Sequence, residues 1–68
     1  MTYAELIAKL VQIENQTGVY LSDPCVDLEN AGKDATDAKL FAVAASAAGQ
    51  RAEEAGLDIN ALVGAAIY

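Results

Sequence analysis

The side chains in this sequence that could do chemistry are few: one thiol, Cys25, ten carboxylates, four basic groups and no histidine. Without histidine the commonest general base and the commonest metal ligand are missing together. Cys25 falls in the first turn of a predicted helix, where the helix dipole lowers a thiol pKa, but Asp23 and Asp27 on either side oppose that effect. It reads as a small packing residue rather than a nucleophile. The stretch DLENAGKDATDA, residues 27–38, has the alternating acids of a calcium loop. With Asp27 as position 1, Glu29 stands at 3 and Gly32 at 6, but position 5 is Ala31 and the bidentate position 12 is Ala38, so the ligand count fails. These acids read instead as solvated residues around two adjacent helix starts. The remaining polar feature is Glu14 with Arg51, each on or beside the apolar face of its helix, where an ion pair would set register and two solvated side chains would not.

Four helical segments must position these groups. Thr2 and Glu5 have capping-box spacing, so helix 1 begins at Tyr3; Tyr3, Leu6, Ile7, Leu10, Ile13 and Thr17 share one face, and Gly18 is a left-handed stop. Glu14 falls near the middle of that face, close to the C-terminal end, where a carboxylate opposes the dipole. Val19, Tyr20 and Leu21 follow as an extended connection that covers the end of a small core. Asp23 and Pro24 are an N-cap and first helical residue, opening a two-turn helix to about Ala31. Asp34 is read as the cap of a long helix from Ala35 to Ala55, closing at Gly56. Its stripe is Phe41, Ala44, Ala48, Ala52 and Ala55, flanked by Leu40 and Ala45, with Lys39, Ser46, Gln50 and Glu53 opposite. Asp58 caps a last helix of about two and a half turns, in which Ile59, Leu62, Val63, Ala66 and Ile67 share a face. The expectation is an all-α, small compact bundle of about four helices, two longer and two short, in one domain over residues 1–68.

Composition narrows the function classes. A chain of 68 residues with net charge −6 lacks the basic stripe that phosphate backbones require, and anionic membrane surfaces are disfavoured for the same reason. One cysteine makes no internal disulfide, and no stretch approaches the ~20 apolar residues of a membrane span. No signal-peptide pattern precedes helix 1, so the expected setting is intracellular or within a virion. The stretch AEEAGLDINALVGAAI, residues 52–67, resembles in composition the closing helices of the all-helical nucleotide pyrophosphohydrolases. Those enzymes hold magnesium with paired acids of the E-x-x-E and E-x-x-D kind, which this chain lacks, so the resemblance implies no metal, cofactor or catalytic residue here.

The alanines of FAVAASAAGQ, residues 41–50, form a shallow groove that larger side chains must fill, from helix 1, from helix 4 or from another chain. Alanine buries little area, and Val11, Val43, Ala47, Val63 and Tyr68 do not fit one stripe. This predicts a non-enzymatic structural or interaction protein, a subunit or docking component of a larger assembly, with a viral or phage particle as one setting. The candidate interface is Ala44, Ala48, Ala52, Val63, Ile67 and Tyr68, the last short helix gaining its order from docking; the partner is a protein, either copies of itself or a scaffold. The alternative reading is an acidic inhibitor or antitoxin-like protein that covers a basic surface of an enzyme or nucleic-acid-binding protein.

Overall fold

Local capping explains where each helix begins. The structure, a computed structural model, describes residues 1–68. In helix α1, Tyr3–Thr17, the Thr2 hydroxyl accepts from the Glu5 amide at 3.2 Å and the Glu5 carboxylate accepts from the Thr2 amide at 3.2 Å. Gly18 closes α1 in the left-handed conformation, as the sequence predicts. Helix α2, Pro24–Ala31, is capped by Asp23, whose carboxylate accepts from the Val26 amide at 3.3 Å. There is no strand, and the segment 19–23 is an extended connection.

Two boundaries differ from the sequence expectation. Helix α3 spans Asp37–Glu54, and its cap is Thr36 rather than Asp34: the Thr36 hydroxyl accepts from the Lys39 amide at 3.2 Å. Thr36 and Asp34 are both competent caps. The choice of Thr36 frees Asp37 to receive the backbone amide of Tyr3 at 3.4 Å, which ties the start of α1 to the start of α3. The far end of α3 is a Schellman motif, with Gly56 N–H bonded to Glu53 O at 3.1 Å and Leu57 N–H to Ala52 O at 2.8 Å. Helix α4 is only Ile59–Val63, about half the predicted length. Gly64 adopts φ +79, a left-handed conformation that L side chains avoid, and ends the helix there. Leu62 is consequently exposed instead of sharing a buried face with Ile67.

Packing is organised around α3, which contacts α1, α2 and α4; α1 also packs on α4. Leu6, Leu10 and Ile13 of α1, Leu21 of the connection, and Ile59 and Val63 of α4 bury their side chains with Ala44, Ala45, Ala48 and Ala52. The groove of small residues is thus filled by larger residues of the same chain. The Cα radius of gyration is 11.1 Å, against about 11 Å for an ordinary compact domain of this length. Alanine costs the core apolar volume without making the chain loose, because the helices close up.

Ala48 and Ala52 are fully buried. A leucine at 48 would add three carbons to a fully buried position in a closed core, and overpacking of this kind costs about 1 to 3 kcal/mol. Urea unfolding should therefore show Ala48→Leu markedly destabilised, while Ala42→Leu on the exposed side of α3 should be nearly neutral.

Candidate functional site

The six residues expected at an interface are divided by the fold. Ala44, Ala48, Ala52 and Val63 lie in the hydrophobic core, Ile67 is half-buried against it, and Tyr68 is 61 % exposed. The first four are buried in one cluster with residues of α1, α3 and α4, so the surface they offer to a partner is small. Cys25 is exposed on the first turn of α2, not packed as its residue type suggests. No group of three or more His, Cys, Asp or Glu is placed to hold a metal ion.

The polar chemistry is concentrated at three points that hold the chain to itself. The first is Glu14. Its Oε1 accepts from the Leu21 amide at 2.8 Å, the Ser22 amide at 2.5 Å and the Ser22 hydroxyl at 2.8 Å. Arg51 approaches the same connection from α3 and donates to the Leu21 carbonyl at 3.3 Å, while its guanidinium lies 5.1 Å from the centroid of the Tyr20 ring. Glu14 and Arg51 therefore meet through the peptide groups of Leu21 rather than through each other. The carboxylate that opposes the dipole of α1 supplies acceptors that the 19–23 connection otherwise lacks. Burial pushes the Glu14 carboxyl up, but the Ser22 and Leu21 amides, the Ser22 hydroxyl and the Arg51 charge outweigh it, and the group titrates below its usual range.

The second point is Asp27, which the sequence suggests is solvated and which is only 2 % exposed. It is the one buried residue of α2. Its Oδ2 accepts from the phenol of Tyr3 at 3.1 Å, joining α2 to the first turn of α1. Burial pushes the Asp27 carboxyl up and the nearby Asp23 adds to this, against the opposing effects of the Tyr3 hydrogen bond and Arg51. The Tyr3 phenol is also raised, by burial and by the Asp27 carboxylate, and so remains a donor. No buried side-chain nitrogen or oxygen lacks a hydrogen-bond partner.

The third point is Asn60. Its Oδ1 accepts from the Ile67 amide at 2.9 Å and the Tyr68 amide at 3.1 Å, and its Nδ2 donates to the Tyr68 carbonyl oxygen at 3.0 Å. The Tyr68 ring lies directly on Gly49 of α3, where an added Cβ would overlap Cγ, Cδ1 and Cδ2. The last residues are thus held by contacts within the chain itself. In the sequence Asn60 is an ordinary helix residue, and Gly49 reads as part of the small-residue groove with Ala45 rather than as the seat of the Tyr68 ring. The available signal was a lone glycine inside an alanine-rich helix, which marks close approach by another group.

Beside this cradle lies an open depression of about 520 Å³ that includes Glu53, Leu57, Asp58 and Tyr68. A second, uncharged depression on the outer side of α3 is lined by Asn30, Ala42, Val43, Ser46, Ala47 and Gln50. No protein-family model matches this chain, and no curated protein and no solved structure shows significant similarity to it.

Two pH dependences of opposite sign follow. Glu14 titrates lower in the folded chain than in the unfolded one, so its contribution is complete above the ordinary carboxylate range and is lost as pH falls through the folded value. Glu14→Ala should cost about 1 to 3 kcal/mol at pH 7, the penalty for orphaned loop amides, and the deficit should shrink in acid unfolding curves. Asp27 titrates higher when folded, so the native state loses stability as pH rises through that value. Asp27→Asn keeps an acceptor for Tyr3 and removes the buried charge; relative to the parent it should be more stable at pH 7 than at pH 3, as read by thermal unfolding at both.

Proposed function

We propose that this chain is a small helical structural or interaction protein that acts as a subunit or docking component of a larger protein assembly and performs no catalysis. The observation that carries the reading is the mismatch between composition and burial. The chain is 54 % hydrophobic, yet 13 of its 68 residues are buried, and Val11, Leu28 and Leu62 are 40 to 55 % exposed. None of the three belongs to the core cluster or packs against it. Surplus apolar surface on a small domain is accounted for by contact with another protein.

The faces available for such contact are not those that alanine content alone suggests. The stripe of Ala44, Ala48 and Ala52 is occupied by α1. What remains is the uncharged depression on α3 that includes Val43 and Ala47, and the C-terminal edge with Leu62, Ile67 and Tyr68. On a chain of net charge −6, an uncharged patch is where like copies can approach with the least repulsion. A particle component of viral or phage origin remains one setting for this reading.

The acidic-inhibitor alternative draws support from Arg51. That cation is engaged by the Leu21 carbonyl and the Tyr20 ring, so the exposed bases are Lys9, Lys33 and Lys39. A surface poorer in cations than the sequence suggests would suit a basic partner.

Salt separates the two. Sedimentation of the purified chain over a wide concentration range, in about 0.1 M and 1 M salt, should reveal an association that survives the high-salt condition, where the Debye length is about 3 Å. A strict monomer under both conditions would remove self-association. Capture of a basic partner that is released by salt would establish the inhibitor reading instead.

A further inference from the structure

Helix α3 carries two sets of charges that are used differently. Asp37 in its first turn and Arg51 in its last have the signs that the helix dipole favours. Both are engaged inside the chain, Asp37 by the Tyr3 amide and Arg51 by the Leu21 carbonyl. Lys39 in the first turn and Glu53 in the last have the opposite signs, which the dipole disfavours, and both are exposed. The isolated helix gains nothing from that second placement.

Lys39, Ser46 and Glu53 follow one another at intervals of seven residues. They form one line along α3, because two turns of helix return a side chain to within about 20° of its starting direction. Ser46, in the middle of the line, is exposed as well. Between the charged ends lies the neutral depression that includes Ala42, Val43, Ser46, Ala47 and Gln50. From its N-terminal to its C-terminal end the face therefore reads base, small neutral residues, acid. Ser46 stands midway between the two charges, so the pattern is complementary to its own reverse. A second α3 laid antiparallel with the two Ser46 residues opposed brings Lys39 of each copy to Glu53 of the other, and it opposes the two helix dipoles. A parallel copy would set lysine against lysine and glutamate against glutamate. A basic partner would meet Lys39 as a like charge, so a second copy suits this face better.

We propose that this face of α3 is a self-association surface on which two copies of the chain pair antiparallel about a twofold axis at Ser46, with Lys39–Glu53 ion pairs at both ends. The inference rests on the assembly reading and names its partner as a second copy. Small side chains at the centre let the two axes approach toward the short end of the ~8–10 Å range of packed helices, which brings the charged ends within reach. A standard interface takes about 800 Å² from each partner, about a fifth of the 4070 Å² that this chain exposes. One helix face supplies less than that, so the dimer is a weak one that forms at high concentration.

Sedimentation equilibrium of the purified chain up to ~1 mM, the scale of weak association, tests it and should show monomer and dimer in exchange. Lys39→Glu and Glu53→Lys should each weaken the dimer about tenfold, since by symmetry each turns two attractions into two repulsions. Mixed in equal amounts, the two variants should associate as well as the parent, because both pairs are then complementary again and the summed charge is unchanged. Glu53→Lys is the sharper of the two: it brings the chain's net charge of −6 closer to zero, so it would strengthen an association limited by overall repulsion alone. Lys9→Glu makes the same charge change as Lys39→Glu at an exposed position of α1 and should matter less. Ser46→Arg should abolish the dimer with helicity retained, as read by circular dichroism. A chain that stays monomeric throughout would overturn the self-pairing and leave the assembly reading to a different protein as scaffold. A dimer that ignores Ser46→Arg, or that Glu53→Lys strengthens, would overturn this face while the assembly reading stood.

Discussion

Close approach at the small residues of α3 is the constraint on which the rest of this structure depends. Ala44, Ala48 and Ala52 present almost no side chain, so Leu6, Leu10 and Ile13 of α1 can reach the helix surface and Ile59 and Val63 can close the other end. Every other helix contacts α3, and the C-terminal ring does too. The arrangement exchanges apolar volume for proximity. A leucine-rich α3 would bury more area but would hold its neighbours farther away, and the short connections of this chain leave little room for that.

A core built this way contributes less hydrophobic stabilisation per residue than an ordinary one, and the polar contacts compensate by fixing segments that have little apolar surface of their own. Glu14 and Arg51 seize the Leu21 peptide from two sides and thereby press the Leu21 side chain into the core. Asp27 and Tyr3 hold α2, a helix with no other buried residue. Asn60 holds the last residues. Each contact joins parts of the chain that the apolar cluster alone would leave loosely attached. The Asp27 arrangement carries a cost, a buried carboxyl raised in pKa, set against the Tyr3 hydrogen bond that joins α2 to α1.

The same economy shapes the functional reading. Because the alanine face is satisfied internally, the apolar surface left for contact belongs to residues outside the core, Val11, Leu28 and Leu62 among them, rather than to the groove. None of the helices is long and apolar enough to cross a membrane. The middle of α3 carries no charge between Lys39 and Arg51, and the depression around Ala42, Val43, Ser46 and Ala47 is a neutral patch on an otherwise acidic domain.

The sequence by itself determined the fold class and most helix boundaries. The Thr2/Glu5 capping box, the Asp23–Pro24 start and the Gly18, Gly32 and Gly56 stops act through bonds between residues a few positions apart, and the apolar period of α1 marks its buried face directly. Only the tertiary structure decided which of the polar residues carry weight. Asp27 looks like any helix acid until Tyr3, from another helix, is placed over it; Glu14 looks misplaced until the 19–23 connection folds back onto it. Thr36 prevails over Asp34 where Asp37 can meet the Tyr3 amide. Helix α4 stops early where Gly64 turns and Asn60 binds amides that a longer helix would have used internally. In each case the deciding partner is distant in the chain or lies outside the helical register, and local periodicity holds no record of it.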